Sequence, residues 1–183
     1  MSIRVSLAGA TGWAGSALAL ATAKSNDITL VSAVSRTHAG HILGDVLDEP
    51  LLHCPVYATA QEALAHPCDV FFEFTKPDVA KSNVLAALQQ GAHVVIGTSG
   101  LTDADYAEIA IVAEHRRLGV LAVGNFALTV VLLQKFSEIA ARYIPQWEII
   151  NYAIHQMPNS SSGSRSKLRV CPPRNALSSP ARS

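Results

Sequence analysis

Gly9, Gly12 and Gly15 recur at every third residue, directly after the apolar run Ile3-Arg4-Val5-Ser6-Leu7-Ala8 and ahead of an Ala/Leu-rich stretch from Ser16 to about Ala23. Strand, glycine turn and helix start in that order bring bare main-chain N–H groups and the positive end of a helix dipole to one point, which is the chemistry of diphosphate binding. Ala10, Thr11, Trp13 and Ala14 complete the turn. A second β-branched run, Ile28 to Val34, ends on Ser35-Arg36-Thr37. Sites for NAD usually have Asp or Glu here to hold the ribose 2′-hydroxyl. Ser35 and Arg36 instead offer a hydroxyl and a guanidinium, which suit a 2′-phosphate. The pattern favours NADPH, with NADH the alternative.

Elements that position such a site follow along the chain. Val56 to Ala58 reads as a short strand, Thr59 to Glu62 as a capping box opening a helix to Ala65, and Val70 to Glu73 as a strand. Pro77 suits the first turn of a helix that runs to Gln90 and stops at Gly91. His93 to Ile96 and Val120 to Val123 are strands flanking a helix that begins at Thr102 and runs to Leu118, before Gly119. Ala127 to Tyr143 has helical spacing in Val131, Leu132, Phe136 and Ile139, and Trp147 to Ala153 reads as a further strand. Strands alternating with helices predict an α/β fold, a Rossmann-type doubly wound parallel sheet, followed by the start of a second α+β domain. The expected division is 1–126 for the nucleotide domain, 127–155 for a linking helix and first strand, and 156–183 for a tail.

Hydrophobic residues make up 49% of the 183 positions and charged residues 15%, which excludes disorder across the chain. Fourteen cations balance 14 acids, so no overall basic field exists for nucleic acid or an anionic membrane. The balance is uneven. Five cations and no acid lie in 156–183 with eight serines and four prolines, leaving nine cations against 14 acids before them. That tail is expected to stay disordered unless a partner orders it. It also has the character of a truncated or out-of-frame reading. Three cysteines without a CxxC pair, no signal sequence and no apolar run of ~18 residues lead to the expectation of a cytoplasmic protein without a membrane span. The histidines lack metal-ligand spacing, and no metal is expected; His38 and His41 share a loop after the second strand and read as surface residues, with a place near the adenosine phosphate the alternative.

The chain resembles the 4-hydroxy-tetrahydrodipicolinate reductase (dihydrodipicolinate reductase) family of bacterial lysine biosynthesis. The resemblance rests on Ala8-Gly9-Ala10-Thr11-Gly12-Trp13-Ala14-Gly15, Phe74-Thr75-Lys76-Pro77, Val94-Val95-Ile96-Gly97-Thr98-Ser99-Gly100 and Gly124-Asn125-Phe126-Ala127, and covers about residues 1–155. It implies hydride transfer from nicotinamide to a cyclic unsaturated dicarboxylate, with Gly97, Thr98 and Ser99 beside the nicotinamide. It also implies that Val123, Gly124, Asn125 and Phe126 close over that ring, and that Phe74, Thr75 and Lys76 face the cofactor. The family's substrate signature is His-His-x-x-Lys-x-Asp-x-Pro-Ser-Gly-Thr. Here His155 matches one histidine if about one residue is deleted, Gly163 and Ser164 match the carboxylate-binding Gly-Thr, and no lysine lies between them. The family's second domain shapes the substrate pocket and mediates tetramer formation, so a homo-oligomer is implied.

Two other readings remain open. Gly-Ala-Thr-Gly also opens dehydrogenases that use a cysteine thioester, which would need a thiol at the nicotinamide; Cys54 and Cys68 precede their strands, on the wrong edge of the sheet. The missing lysine and short carboxyl end suit, as an alternative, a non-catalytic NADPH-binding or oligomerising module or fragment.

Overall fold

The computed structural model describes residues 2–122 and 128–144, and the chain divides into two compact units, 1–126 and 127–183. In the first unit β1 (Ile3–Ala8), β2 (Ile28–Val34), β3 (Val56–Tyr57), β4 (Val70–Glu73), β5 (His93–Ile96) and β6 (Val120–Ala122) form one sheet in the order β3-β2-β1-β4-β5-β6. All five pairings between these strands are parallel. This is the expected doubly wound α/β sheet, and its strand order reverses between β1 and β4.

The helices are α1 (Trp13–Ala23), α2 (Leu43–Leu47), α3 (Ala60–Ala63), α4 (Pro77–Gln89) and α5 (Asp103–Arg116) in the first unit, and α6 (Leu128–Ala140) in the second. Local chemistry sets most of their ends. Thr59 Oγ1 accepts the Glu62 N–H while the Glu62 carboxylate accepts the Thr59 N–H, so the expected capping box starts α3. Thr102 and Asp105 repeat the arrangement at α5. Pro77 occupies the first turn of α4, and Gly91, at φ +86°, takes the left-handed conformation just beyond its end. Several element ends differ from the sequence reading by one to three residues, and one helix has no counterpart in it; α3 ends at Ala63 rather than Ala65, and α6 covers Leu128–Ala140 rather than 127–143. α1 starts at Trp13 rather than Ser16, because the glycine turn already runs into helical geometry with Gly12 as its N-cap. α5 ends at Arg116, and Arg117 closes it with a left-handed φ of 56° before Gly119 is reached. α2, five residues between β2 and β3, is too short to leave a helical period in the sequence.

Alternation along the strands divides the apolar side chains between two cores. Leu7, Ala33 and Val56 join Ala19 of α1 and Leu43 of α2 in one. Ala8, Val34, Phe71, Val94 and Ile96 join Val84 and Leu88 of α4 and Ile109 of α5 in the other. Full burial of a side chain such as Phe71 contributes roughly 1.5–3 kcal/mol. A polar pair interrupts the apolar middle of the sheet where the β1–β2 register shifts between Val5 and Ser6. There the buried Ser32 hydroxyl lies 2.9 Å from Ser6 Oγ and 3.1 Å from the Ala63 carbonyl oxygen. Among the described residues no helix is long and apolar enough to cross a membrane. The reading of Trp147 to Ala153 as a strand and of 156–183 as disordered falls outside the described residues.

At the amino end of the sheet Arg4 holds Asp69 with two guanidinium bonds, at 2.7 and 3.2 Å, and with its own main-chain N–H at 2.8 Å. These bonds hold the Asp69 carboxyl down at about 2. Asp105 is likewise lowered to about 2, first by the Thr102 hydroxyl, then by the Thr102 N–H and by Lys81. Both groups have depressed folded-state values, so the stability they contribute is fully present above 3.8 and is lost as pH falls through about 2. Acid unfolding followed by circular dichroism is expected to show this loss. Asp69→Asn makes the loss in that window smaller, and adding Asp105→Asn makes it smaller again.

Candidate functional site

The glycine turn sits where the chain leaves β1, at the reversal of strand order, and main-chain bonds anchor it on both sides. Gly9 N–H and Ala10 N–H donate to the Val34 carbonyl at the end of β2, at 3.0 and 3.3 Å, and Phe74 N–H donates to the Ala8 carbonyl at 3.0 Å. The three glycines answer three different demands. Gly9 takes φ +81°, and a Cβ there would collide with the Phe74 carbonyl oxygen and lie 2.8 Å from its carbon. A Cβ on Gly15, inside α1, would collide with the Gly9 oxygen and lie 2.7 Å from the Gly9 carbonyl carbon. Gly12 differs. Its φ is −77°, which any residue adopts, and the one atom near its missing Cβ is the Gly9 oxygen at 3.2 Å, a tight contact but a milder one than those at Gly9 and Gly15.

The amino end of α1 has no side-chain cap and no acid in its first turn, in contrast with α3 and α5. Its dipole and first-turn N–H groups are therefore available to an anion. Trp13, the first residue of α1, is 83% exposed beside this turn, and Ala14 follows it.

A chain of hydroxyls runs from the turn to the end of β2. Thr11 Oγ1 lies 2.7 Å from Ser35 Oγ, Ser35 Oγ lies 3.3 Å from Thr37 Oγ1, and Thr37 Oγ1 lies 2.9 Å from His38 Nδ1. Arg36 is exposed between them. His38, read from sequence as a surface residue, is half-buried and belongs to this chain; an imidazole in hydrogen-bond reach of two hydroxyls leaves no periodic trace in a sequence.

The loops after β4 and β5 are interlocked. The Phe74 ring covers the backbone of Gly97, where a Cβ would collide with it. Gly97 N–H and Thr98 N–H donate to the Glu73 carbonyl at 2.9 and 3.2 Å, and the Thr98 hydroxyl is 3.2 Å from the Thr75 carbonyl. Ser99 is exposed at the end of this loop, and Lys76, exposed, is the N-cap of α4. Gly9 to Ala14, Ser35, Arg36, Phe74 to Lys76 and Gly97 to Ser99 thus all stand at the carboxyl end of the sheet. Val123, Gly124, Asn125, Phe126, His155, Gly163 and Ser164 lie outside the described residues.

One residue of the site that sequence reasoning missed is Glu73. It is fully buried, and its carboxylate accepts the Thr75 N–H at 2.7 Å, the Asn83 side-chain amide at 2.9 Å, the Thr98 hydroxyl at 3.3 Å and the Thr75 hydroxyl. Burial pushes this carboxyl above its ordinary range, while the donors from Thr75, Asn83 and Thr98 pull the other way. The available signal was an acid closing an apolar strand with a threonine two residues beyond.

The thiols are placed differently. Cys54 is buried beside α2 and pushed up to about 11 by burial, and Cys68 precedes the amino end of β4. Neither is at the edge of the sheet where the glycine turn opens, so neither supports a thioester mechanism. Among the described residues no group of three or more His, Cys, Asp or Glu could hold a metal ion.

Residues 3–126 match the family described as dihydrodipicolinate reductase, N-terminus. The chain is 34% identical over 166 residues to a 4-hydroxy-tetrahydrodipicolinate reductase of Bacillus cereus (strain B4264), covering 90% of this chain and 62% of that protein. It therefore spans less than two thirds of the relatives' length. Dipicolinate-bound dihydrodipicolinate reductase from Paenisporosarcina sp. TG-14 superposes with a TM-score of 0.64 at 30% identity, covering 79% of this chain and 56% of that one. Biliverdin reductase from Synechocystis sp. PCC 6803, in complex with biliverdin and NADP+, shares the fold at a TM-score of 0.59 and 20% identity, over 81% of this chain and 44% of that one.

The different roles of the glycines separate by substitution. Gly15→Ala is expected to lower stability by about 1–3 kcal/mol, because its neighbour is rigid backbone. Gly12→Ala is expected to cost less than Gly15→Ala, because its added Cβ meets one atom at 3.2 Å rather than three at 3.1 Å or less. Denaturant unfolding of the two variants beside the unaltered chain measures the difference.

Proposed function

Because the chain belongs to the dihydrodipicolinate reductase family, we propose that it binds NADPH across the carboxyl ends of β1, β2, β4 and β5, as the nucleotide-binding part of a lysine-biosynthetic reductase. The observation that carries this reading is the amino end of α1, which has neither a side-chain cap nor an acid in its first turn and opens directly from the glycine turn at the carboxyl end of β1. A diphosphate bound by its first-turn N–H groups supplies the missing partner. NADH is the alternative ligand of the same turn.

The groups divide the work by position. The turn from Gly9 to Ala14 holds the diphosphate with N–H groups. Ser35 and Arg36 hold the 2′-phosphate, Arg36 by charge-assisted bonds. Phe74, Thr75 and Lys76, with Gly97, Thr98 and Ser99, flank the nicotinamide end and keep water from it, and Val123 to Phe126 belong to the same wall. When bound, the cofactor supplies the hydride for a cyclic unsaturated dicarboxylate. Gly163 and Ser164 bind a carboxylate of that substrate, and His155 places a proton on it. A cytoplasmic location and assembly into a homo-oligomer form part of the same proposal.

A second reading is favoured by one feature of the sequence. No lysine lies between His155 and Gly163, where the family signature has its proton donor. Loss of general acid catalysis is commonly worth about 10²- to 10⁴-fold. Residual turnover is then slow, and the chain serves as an NADPH-binding module.

Fluorescence titration with NADPH and NADH tests the binding half. NADPH is expected to bind more tightly. Arg36→Ala is expected to weaken NADPH about tenfold, the scale of one exposed charge-assisted bond, and to leave NADH nearly unchanged. Gly12→Ala is expected to weaken both. Equal loss of the two nucleotides in Arg36→Ala counts against the 2′-phosphate role, and no binding by the unaltered chain counts against the whole reading. Steady-state oxidation of NADPH with the dihydrodipicolinate-type substrate separates the reductase from the non-catalytic module.

A further inference from the structure

The Glu73 carboxylate is fully buried in the nucleotide unit, and the roles assigned above make no use of it. It lies at the last position of β4, beside the reversal of strand order, on the face that packs against α4. Its two oxygens collect donors from three elements. Oε1 takes the N–H and the hydroxyl of Thr75 in the loop after β4 and the hydroxyl of Thr98 in the loop after β5. Oε2 takes the amide of Asn83 in α4. No buried side-chain nitrogen or oxygen among the described residues lacks a partner. The network is complete without a ligand, and removing its acceptor unpairs the Thr75 N–H and the Asn83 amide, while the Thr98 hydroxyl keeps only the carbonyls of Glu73 and Thr75.

The same loops touch the glycine turn. The peptide between Phe74 and Thr75, whose N–H is bound by Glu73, is the backbone against which Gly9 is pressed. The Phe74 ring in turn covers Gly97. Moving the Thr75 N–H off the carboxylate therefore shifts the loop on which the diphosphate turn rests and the loop that flanks the nicotinamide end. The adenosine end of the site, at Ser35 and Arg36, hangs on β2, and Ser35 bonds to Thr11 and Thr37 rather than to Glu73.

We propose that Glu73 is a positioning residue for the nicotinamide half of the dinucleotide, its buried carboxylate locking the loops after β4 and β5 to each other and to α4. This rests on the cofactor reading above and adds a residue to it. What the site needs from position 73 is an acceptor of the right length. Glu73→Gln meets that need. Reversal of the Asn83 amide lets the Asn83 oxygen accept from the introduced amide N–H₂, while the introduced amide oxygen keeps the threonine donors.

The test uses the whole chain and two probes, NADPH and adenosine 2′-monophosphate, which has the adenosine end without the diphosphate or the nicotinamide. Glu73→Met keeps the length and removes the acceptors. It is expected to weaken NADPH about tenfold and the monophosphate less than about twofold, and Glu73→Gln is expected to bring NADPH back to within about threefold of the unaltered chain. If Glu73→Met does not fold, Thr98→Val, which removes one donor from the second loop, is expected to give the same selective pattern at about threefold. Unchanged NADPH affinity, or equal weakening of both probes, overturns the inference, the latter because it is what a merely structural role produces. Binding of neither probe by the unaltered chain overturns the cofactor reading itself, and this inference with it.

Discussion

Backbone lying directly on backbone is the constraint from which the nucleotide unit is built. Gly9 rests on the Phe74–Thr75 peptide, and Gly15 rests on the Gly9 carbonyl. Both approaches are closer than any side chain would allow. They bring β1, α1 and the loop after β4 within one another's reach at a single point, and the main-chain bonds from Gly9 and Ala10 to Val34 add β2. Protein interiors are packed too tightly for such a point to give way by itself. Its position therefore transmits to every loop at that end of the sheet.

The polar groups that complete the site are held by the same logic at two depths. Near the surface, Thr11, Ser35, Thr37 and His38 bond to one another, so that the turn and the end of β2 share one set of hydroxyls. Below it, the fully buried Glu73 gathers Thr75, Thr98 and Asn83. A carboxylate in such surroundings is costly to bury unless its donors are complete. The completeness of that set makes the loops stiff, and the two apolar cores on either side of the sheet keep the strands that support them from sliding.

Much of this could be read from residue order. β1, β2, β4 and β5 stand where their β-branched runs end, because buried parallel strands are short and nearly continuous in apolar residues. Capping at Thr59 and the stop at Gly91 follow from side-chain chemistry that acts within four residues. What escaped notice depends on contacts between distant segments. The five residues of α2 have too few turns for a period. Glu73 looks like the polar end of a strand until Thr98, 25 residues on, is seen beside it. His38 reads as an ordinary surface histidine until Thr11 and Ser35 are joined. The division of labour among the three glycines is equally hidden, since their spacing is uniform and only their surroundings differ.

The strand order β3-β2-β1-β4-β5-β6 also governs the order of events at the ribosome. β1 is made first yet lies in the middle of the sheet, so one of its edges pairs early with β2 while the other waits for β4. The whole span from Val5 to Val70 must emerge before those two residues meet. In that interval an apolar strand edge stands open to neighbouring nascent chains, and loop closure over such a span is slow. Pairing of β4 with β1 is the step that closes this edge, and it can come only once Val70 has been made.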